Sequence, residues 1–186
     1  MTCIVGYVDK DGIYIGGDSA AVGEEDLSYN IRTDVKVFKR DDFIIGFSTS
    51  FRMGQILRYK FRIPNHPKAM DNFQYMTTLF VDAVKKCFID NDYTKFDEDG
   101  AYFMVGYRGK IYSVLSEFQI AENKENFAAM GCGEHFALGA LYACSETSPK
   151  KKLEVALNAA AAFSMGVKPP FVFEQILNKK RPTKKK

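Results

Sequence analysis

The sequence predicts an α+β fold, a four-layer αββα sandwich of two antiparallel sheets. Short apolar-alternating segments come in pairs joined by tight turns, which makes them antiparallel hairpins. Segments with apolar residues at helical spacing also come in pairs. The order is four strands, two helices, two or more strands, two helices and a strand, with no internal repeat or interdomain linker. Two sheets that each bury one face on the other and one face under helices satisfy that order.

Residues 3–9 are rich in β-branched side chains, with Cys3, Val5 and Tyr7 on one face and Ile4, Gly6 and Val8 on the other, so they read as a strand. DKDG at 9–12 is a hairpin turn in which Gly12 suits a positive φ, and IYIGGDS at 13–19 is the returning strand. Residues 23–33 are polar and read as a loop. VKVF at 35–38 and FIIGFSTS at 43–50 form a second hairpin around KRDD. The period then changes to helical over 51–62, closed by Pro64, and again over a longer amphipathic stretch at 72–92. AYFMVGY at 101–107 and KIYSVLS at 110–116 make a third hairpin around Arg108 and Gly109. Helices follow at 133–146 and 151–165, separated by Ser148 and Pro149, and then a last strand at 171–177. Residues 1–178 are expected to form one domain. Residues 179–186, KKRPTKKK, have no apolar content and read as a disordered basic tail.

Bulk properties narrow the function. A chain of 186 residues buries a real core without staples. The tail is basic enough to account for the net charge of +3, which leaves a neutral to acidic body and no indication of a nucleic-acid surface. Cys3, Cys87, Cys132 and Cys144 form no CxxC pair and show no zinc-like spacing with His66 and His135. Charged residues interrupt the first twenty positions and no apolar run reaches spanning length, so neither a secretory leader nor a membrane segment is expected. A reducing, cytoplasmic setting is the expectation.

The start of the chain is the informative stretch. A core strand begins at Cys3, where a free terminus would ordinarily fray. An α-amine has a pKa of about 7.7–8.0 and so titrates near neutrality without special burial. If Met1 is removed, as Thr2 is small enough to allow, Thr2 carries an amine and a hydroxyl on adjacent carbons. That pairing activates a weak hydroxyl nucleophile with no histidine, metal or cofactor. The hairpin brings Asp18, at the end of the second strand, beside Thr2. Lys36 interrupts an otherwise apolar strand, DVKVF. An ammonium and a carboxylate next to that terminus would lower the hydroxyl and amine pKa values and orient both groups. Taken singly, Asp18 also reads as a turn residue and Lys36 as a solvated edge residue.

TCIVGYVDKDGIYIGGDSAA, then VKVFKRDDFIIGFSTS, then AAMGCGEHFALGALYA resemble a proteasome β-type subunit, and more closely the bacterial HslV-type peptidase. The resemblance covers roughly residues 2–177, in order. It implies the N-terminal nucleophile hydrolase fold, with Thr2 as nucleophile, Asp18 as its acidic partner and Lys36 as the catalytic lysine. GFSTS matches a GFAGG-like turn, which implies that the Thr49 N–H stabilises the oxyanion. GCG matches a GSG motif whose hydroxyl bonds the terminal amine, which assigns that place to Cys132, a poorer donor. Ser164 matches a position that supports the same amine. The departures at Thr49 and Cys132 fall at the implied site.

The resemblance therefore implies a threonine endopeptidase acting on peptides or unfolded proteins. Its subunits would stack as homo-oligomeric rings, fed by a ring-shaped ATPase unfoldase, without cofactor, nucleic acid or membrane. Two other readings stay open: a catalytically weakened or inactive structural ring subunit, and a hydrolase of small amides. The resemblance also offers Phe38, Phe47 and Phe51 as the lining of an S1-like pocket, for which core packing is the default reading, and Ala159 to Ala162 read as a close helix contact, within the sandwich or between subunits.

Overall fold

The computed structural model describes residues 1–23, 28–93 and 102–178. Successive residues of a strand face opposite ways, and that alternation builds the layers. In β1 (Ile4–Val8), Ile4 faces inward between the sheets and Val5 faces a helical layer. In β2 (Gly12–Gly17), Ile13 and Ile15 face inward and Tyr14 faces the helices. These strands pair with each other and with β10 (Phe127–Met130) and β11 (Val172–Leu177), giving a four-stranded antiparallel sheet ordered β10-β1-β2-β11. The second sheet has five strands in sequential order: β5 (Val37–Arg40), β6 (Phe43–Phe47), β7 (Phe103–Tyr107), β8 (Lys110–Val114) and β9 (Ile120–Glu122). Arg108 and Gly109 both take positive φ, 44° and 77°, as a two-residue hairpin turn requires.

Each sheet carries helices on its outer face. Over the five-stranded sheet lie α1 (Phe51–Tyr59) and a longer rod. The rod runs from α2 (Asn72–Tyr75) through a π-helical turn (Met76–Phe80) into α3 (Val81–Ile89). Ser50 caps α1 by accepting from the Met53 N–H, and Asp71 caps α2 by accepting from the Gln74 N–H. Over the four-stranded sheet lie α4 (Glu134–Ala143) and α5 (Pro149–Phe163). Apolar layers fill the gaps between helices and five-stranded sheet, between the two sheets, and between four-stranded sheet and helices. That is the expected αββα sandwich. No helix of the described residues is long and apolar enough to cross a membrane.

Several boundaries differ from expectation. Residues 23–33 are not wholly loop: β3 (Ala20–Val22) and β4 (Tyr29–Ile31) pair in a small ribbon. The strands β9 and β10 escaped the pattern because they are short and, in β10, built on alanine, which has little strand preference. Gly12 is not at positive φ. It is needed because β11 passes close: a Cβ there would lie 2.5 Å from the Ile176 carbonyl oxygen. The Asp9 carboxylate closes that turn by accepting from the N–H groups of Asp11 and Gly12. Ser148 and Pro149 do not separate the last two helices. They begin α5, with Ser148 as cap residue and proline at its first turn, where a missing N–H costs nothing. α1 ends at Tyr59, ahead of Pro64. Residue 101, where the third hairpin was expected to start, and the basic tail lie outside the described residues.

The sheets approach closely because glycines face large aliphatic side chains across the gap. A Cβ on Gly46 would come within 2.7 Å of Ile4 Cγ2. Gly46→Ala should therefore destabilise the fold by about 1–3 kcal/mol, the usual cost of overpacking. Gly139 in α4 has open space around it, so Gly139→Ala should gain about 0.5–1 kcal/mol from helix preference. Urea unfolding of both variants tests the contrast, and equal midpoints would contradict it.

Candidate active site

Asp18 lies just past the end of β2 and next to the start of β1, because the hairpin places Ile4 opposite Gly17. Its carboxylate is the hub of the site. Oδ1 accepts from the Cys3 N–H at 3.0 Å and from Lys36 Nζ at 2.9 Å. Oδ2 accepts from the Ala20 N–H at 3.0 Å and the Lys168 N–H at 3.4 Å. Lys36 arrives from the residue before β5, anchored where its carbonyl accepts from the Phe47 N–H. Both side chains are 1% exposed or less. Burying an ion pair is costly unless the charges are paired and hydrogen-bonded, and here the carboxylate has four donors. Removing either partner would leave a bare buried charge, at about 3–5 kcal/mol. Burial holds the Lys36 ammonium below the ordinary lysine pKa, against the opposing pull of Asp18.

Thr2 is 3% exposed although Met1 beside it is 42% exposed. The Thr2 hydroxyl donates to the Met1 carbonyl at 2.5 Å, and Lys36 Nζ donates to the same oxygen at 3.3 Å. The ammonium, the hydroxyl and the carboxylate thus share one pocket. Cys132, in the turn before α4, sits on the other side of Thr2. Its Sγ accepts from the Thr2 N–H at 3.3 Å and donates to the Thr2 carbonyl at 3.4 Å. Ser164 donates to Cys132 Sγ at 3.3 Å. It reaches Thr2 only through that thiol, and it is the residue that ends α5 rather than a member of the helix.

Thr49 lies two residues beyond Phe47, at the Lys36 end of the sandwich, with no hydrogen bond to the other site residues. Its φ of 67° is in the left-handed region that glycine prefers and a β-branched residue resists. Its side chain is exposed, and its N–H has no backbone partner among the described residues.

Other residues shape the site without having been singled out in the sequence. Gly131 is at φ 94°, and a Cβ there would sit 2.3 Å from the Thr2 carbonyl oxygen. A Cβ on Gly166 would strike Met1 Cβ and approach Cys132 Sγ at 2.8 Å. Lys168 contributes a backbone donor. The glycines flanking Cys132 and following Ser164 were the available signal. Phe51, read first as core, places its ring 5.7 Å from Lys36 Nζ, with Arg32 stacked on it at 4.0 Å. Arg32 forks onto Asp34 with two 2.6 Å bonds. Among the described residues no cluster of His, Cys, Asp and Glu could hold a metal ion.

Solved structures share this architecture. Thiobacillus denitrificans BPH in complex with epoxomicin superposes with a TM-score of 0.77 at 16% identity, over 94% of this chain and 98% of that one. The fold is that of the proteasome-type N-terminal nucleophile hydrolases. Eukaryotic HslV from Trypanosoma brucei gives 0.65 at 14% identity, over 95% of this chain and 99% of that one. The Anbu (Gly-1) mutant from Hyphomicrobium sp. strain MC1 gives 0.68 at 12%, over 96% and 85%. No family model and no curated protein matches the chain. At these identities the likeness establishes the proteasome-like fold and leaves the chemistry to the residues.

Cys3 yields a pH test of the site's packing. Burial first, and the Asp18 charge second, push its thiol pKa up from 9.0 to about 12. The unfolded chain therefore loses this proton at lower pH than the folded one. The stability contributed by the neutral thiol is intact below about pH 9 and is lost as pH rises toward 12. Urea midpoints of the native protein should fall more steeply above pH 9 than those of Cys3→Ala. Parallel slopes would contradict that.

Proposed function

We propose that the chain is a threonine peptidase subunit whose nucleophile is Thr2 Oγ1 once Met1 is gone. The observation that carries this reading is the buried Lys36–Asp18 pair, whose ammonium donates to the same Met1 carbonyl oxygen as the Thr2 hydroxyl. A protein keeps a lysine in a dry pocket at a cost, and here the ammonium shares an acceptor with the one hydroxyl adjacent to a potential α-amine. The Met1 carbonyl oxygen, held by Lys36 and Thr2, marks where negative charge on oxygen is stabilised.

In the reaction, the free Thr2 amine takes the hydroxyl proton as Oγ1 attacks the scissile carbonyl. The Lys36 charge lowers the cost of the developing alkoxide, and Asp18 fixes both Lys36 and the Cys3 N–H that begins β1. The Thr49 N–H, which has no backbone partner among the described residues, is the donor assigned to the tetrahedral oxyanion. The amine returns the proton to the leaving nitrogen, and water then hydrolyses the ester to Thr2. Cys132 and Ser164 support the amine.

Removal of Met1, itself 42% exposed, would open Thr2 to every protein around it, and that calls for enclosure. We extend the proposal to homo-oligomeric stacked rings in the cytoplasm that degrade unfolded chains delivered by a ring-shaped ATPase. Supporting it, Phe163 and Met165, on either side of Ser164, are 73% and 64% exposed, and Phe163 packs its ring 5.6 Å from that of Phe136. Apolar surface of this kind is ordinarily covered by a partner. One observation favours a weakened or inactive ring subunit instead: Thr49, a β-branched residue held at φ 67° in the turn that would cradle substrate.

Thr2→Ala should abolish hydrolysis of peptide amides while leaving assembly intact. Lys36→Ala should lose about a hundredfold or more in rate, the scale of removing a charge-stabilising group from a preorganised site. Lys36→Arg should fail as well, since a planar guanidinium does not fit a pocket built for a point charge. Near-normal turnover by Thr2→Ala would sink the mechanism, and a fully active Lys36→Arg would place Lys36 outside the chemistry. Sedimentation should give a closed multiple of the 21.0 kDa chain at micromolar concentration. A stable monomer would shift the reading toward a small-amide hydrolase.

A further inference from the structure

The rim of the site carries an arginine that the chemistry at Thr2 does not use. Arg32 lies between β4 and β5, and its backbone N–H donates at 3.0 Å to the carbonyl of Ser19, the residue after Asp18. Its guanidinium stacks on the Phe51 ring at 4.0 Å, and the same ring lies 5.7 Å from Lys36 Nζ. One aromatic ring therefore separates Arg32 from the ammonium at the centre of the site. Nε and Nη2 of Arg32 fork onto Asp34, and Gln55 donates to that carboxylate at 3.4 Å. The Arg32 hydrogen bonds hold the Asp34 carboxyl below the ordinary carboxylate range, so both sides of the fork are charged at neutral pH. The third nitrogen, Nη1, has no hydrogen-bond partner among the described residues, and the side chain is 38% exposed. Ring and fork fix the guanidinium in one orientation with one edge free. A carboxylate that meets that edge orders nothing further on the protein side.

We propose that Arg32 is a specificity-determining residue that favours substrates with a glutamate or aspartate side chain beside the cleaved bond. The inference rests on Thr2 being the nucleophile, since that is what brings a substrate to this rim. Two kinds of charged side chain compete for the place. A basic one has to displace Arg32 from Asp34 and Phe51, which exchanges one guanidinium or ammonium for another without gain. An acidic one displaces nothing.

The charges around the rim decide the same way. Lys36 is paired with Asp18, and Arg32 with Asp34. Two further arginines come from α1. Arg58 donates to the Val35 carbonyl at 2.6 Å, stacks on Phe38 at 4.3 Å, and lines one recess together with Asp34 and Gln55. Arg52 is exposed in the first turn, next to Phe51. Neither forms an ion pair among the described residues. The balance beside Thr2 is therefore positive, and it attracts a carboxylate and repels a lysine or arginine side chain.

Two measurements test this. The first uses Thr2→Ala, in which no turnover occurs. Three capped peptides that differ only at one residue, Glu, Gln or Lys, are titrated into it by calorimetry. The Glu peptide should bind about threefold to tenfold more tightly than the Gln peptide at low salt, the range between an exposed and a well-held charge contact. Added salt should shrink the difference, and the Lys peptide should bind most weakly. Adding Arg32→Ala should abolish the Glu advantage, and Arg32→Lys, which keeps the charge without the fork, should keep part of it. Asp34 is half-exposed, so neither variant leaves a buried charge behind. Equal binding of the Glu and Gln peptides, tighter binding of the Lys peptide, an advantage that survives Arg32→Ala, or no binding of the Glu peptide overturns the proposal. The second measurement is the ratio of kcat/KM for Glu and Gln peptide amides, which should fall from about threefold to tenfold in the native protein toward unity in Arg32→Ala. Hydrolysis without a Glu preference overturns this inference and leaves Thr2 as nucleophile. A Glu preference in binding without any hydrolysis has the opposite meaning: Arg32 reads the peptide, and the peptidase reading fails.

Discussion

Everything at the active end of this molecule hangs on one buried ion pair. Lys36 Nζ and Asp18 Oδ1 are 2.9 Å apart in a pocket closed to water. Such a pair is weak evidence for stability, since well-packed apolar groups would often serve as well. What it supplies is position. Asp18 ties the first strand to the second through the Cys3 N–H, ties the β2 exit to the chain at Lys168, and holds Lys36, which shares the Met1 carbonyl oxygen with the Thr2 hydroxyl. Four separated stretches of sequence, at Cys3, Asp18, Lys36 and Lys168, are thereby brought to one point.

The sandwich makes that point possible. β1 is an interior strand, flanked by β2 and β10, so the residue ahead of it is held on both sides rather than left to fray. The turn between β10 and α4 passes directly over Thr2, which is why Gly131 has no room for a side chain and why the Gly133 N–H reaches the Thr2 carbonyl. On the other sheet, β5 delivers Lys36 and β6 runs out into the Thr49 turn. Thr2, the Lys36–Asp18 pair and Thr49 come from the same end of two packed sheets, which meet closely across glycines.

Much of this was legible in the residues. Paired apolar runs joined by tight turns placed the hairpins β1–β2, β5–β6 and β7–β8, since each of those strands buries one or both faces. The Asp18–Thr2 neighbourhood followed from hairpin geometry alone. Lys36 stood out as a charge inside an apolar strand. What could not be read was set by tertiary contact. β10 is a strand because β1 needs a partner on its open side, and its alanines carry no strand signature. The π-helical turn at Met76–Phe80 has no distinct local pattern. The requirement for glycine at 131 and 166, the role of Lys168 as a backbone donor, and the fact that Ser164 meets Thr2 only through Cys132 all depend on residues far apart in sequence. The Thr49 conformation was hidden for the opposite reason: a β-branched residue argues locally against a positive φ, and the turn after β6 imposes it.

The central claim is that Thr2, with a free amine, is the reacting group. The most direct measurement is to incubate the purified protein with a peptide epoxyketone, digest it, and locate the adduct by mass spectrometry. The account predicts a stoichiometric adduct on the peptide that begins at Thr2, in chains that have lost Met1, and none on Thr2→Ala. A protein that retains Met1 throughout, or an adduct carried instead by Cys132 or another residue while Thr2 stays unmodified, would contradict it.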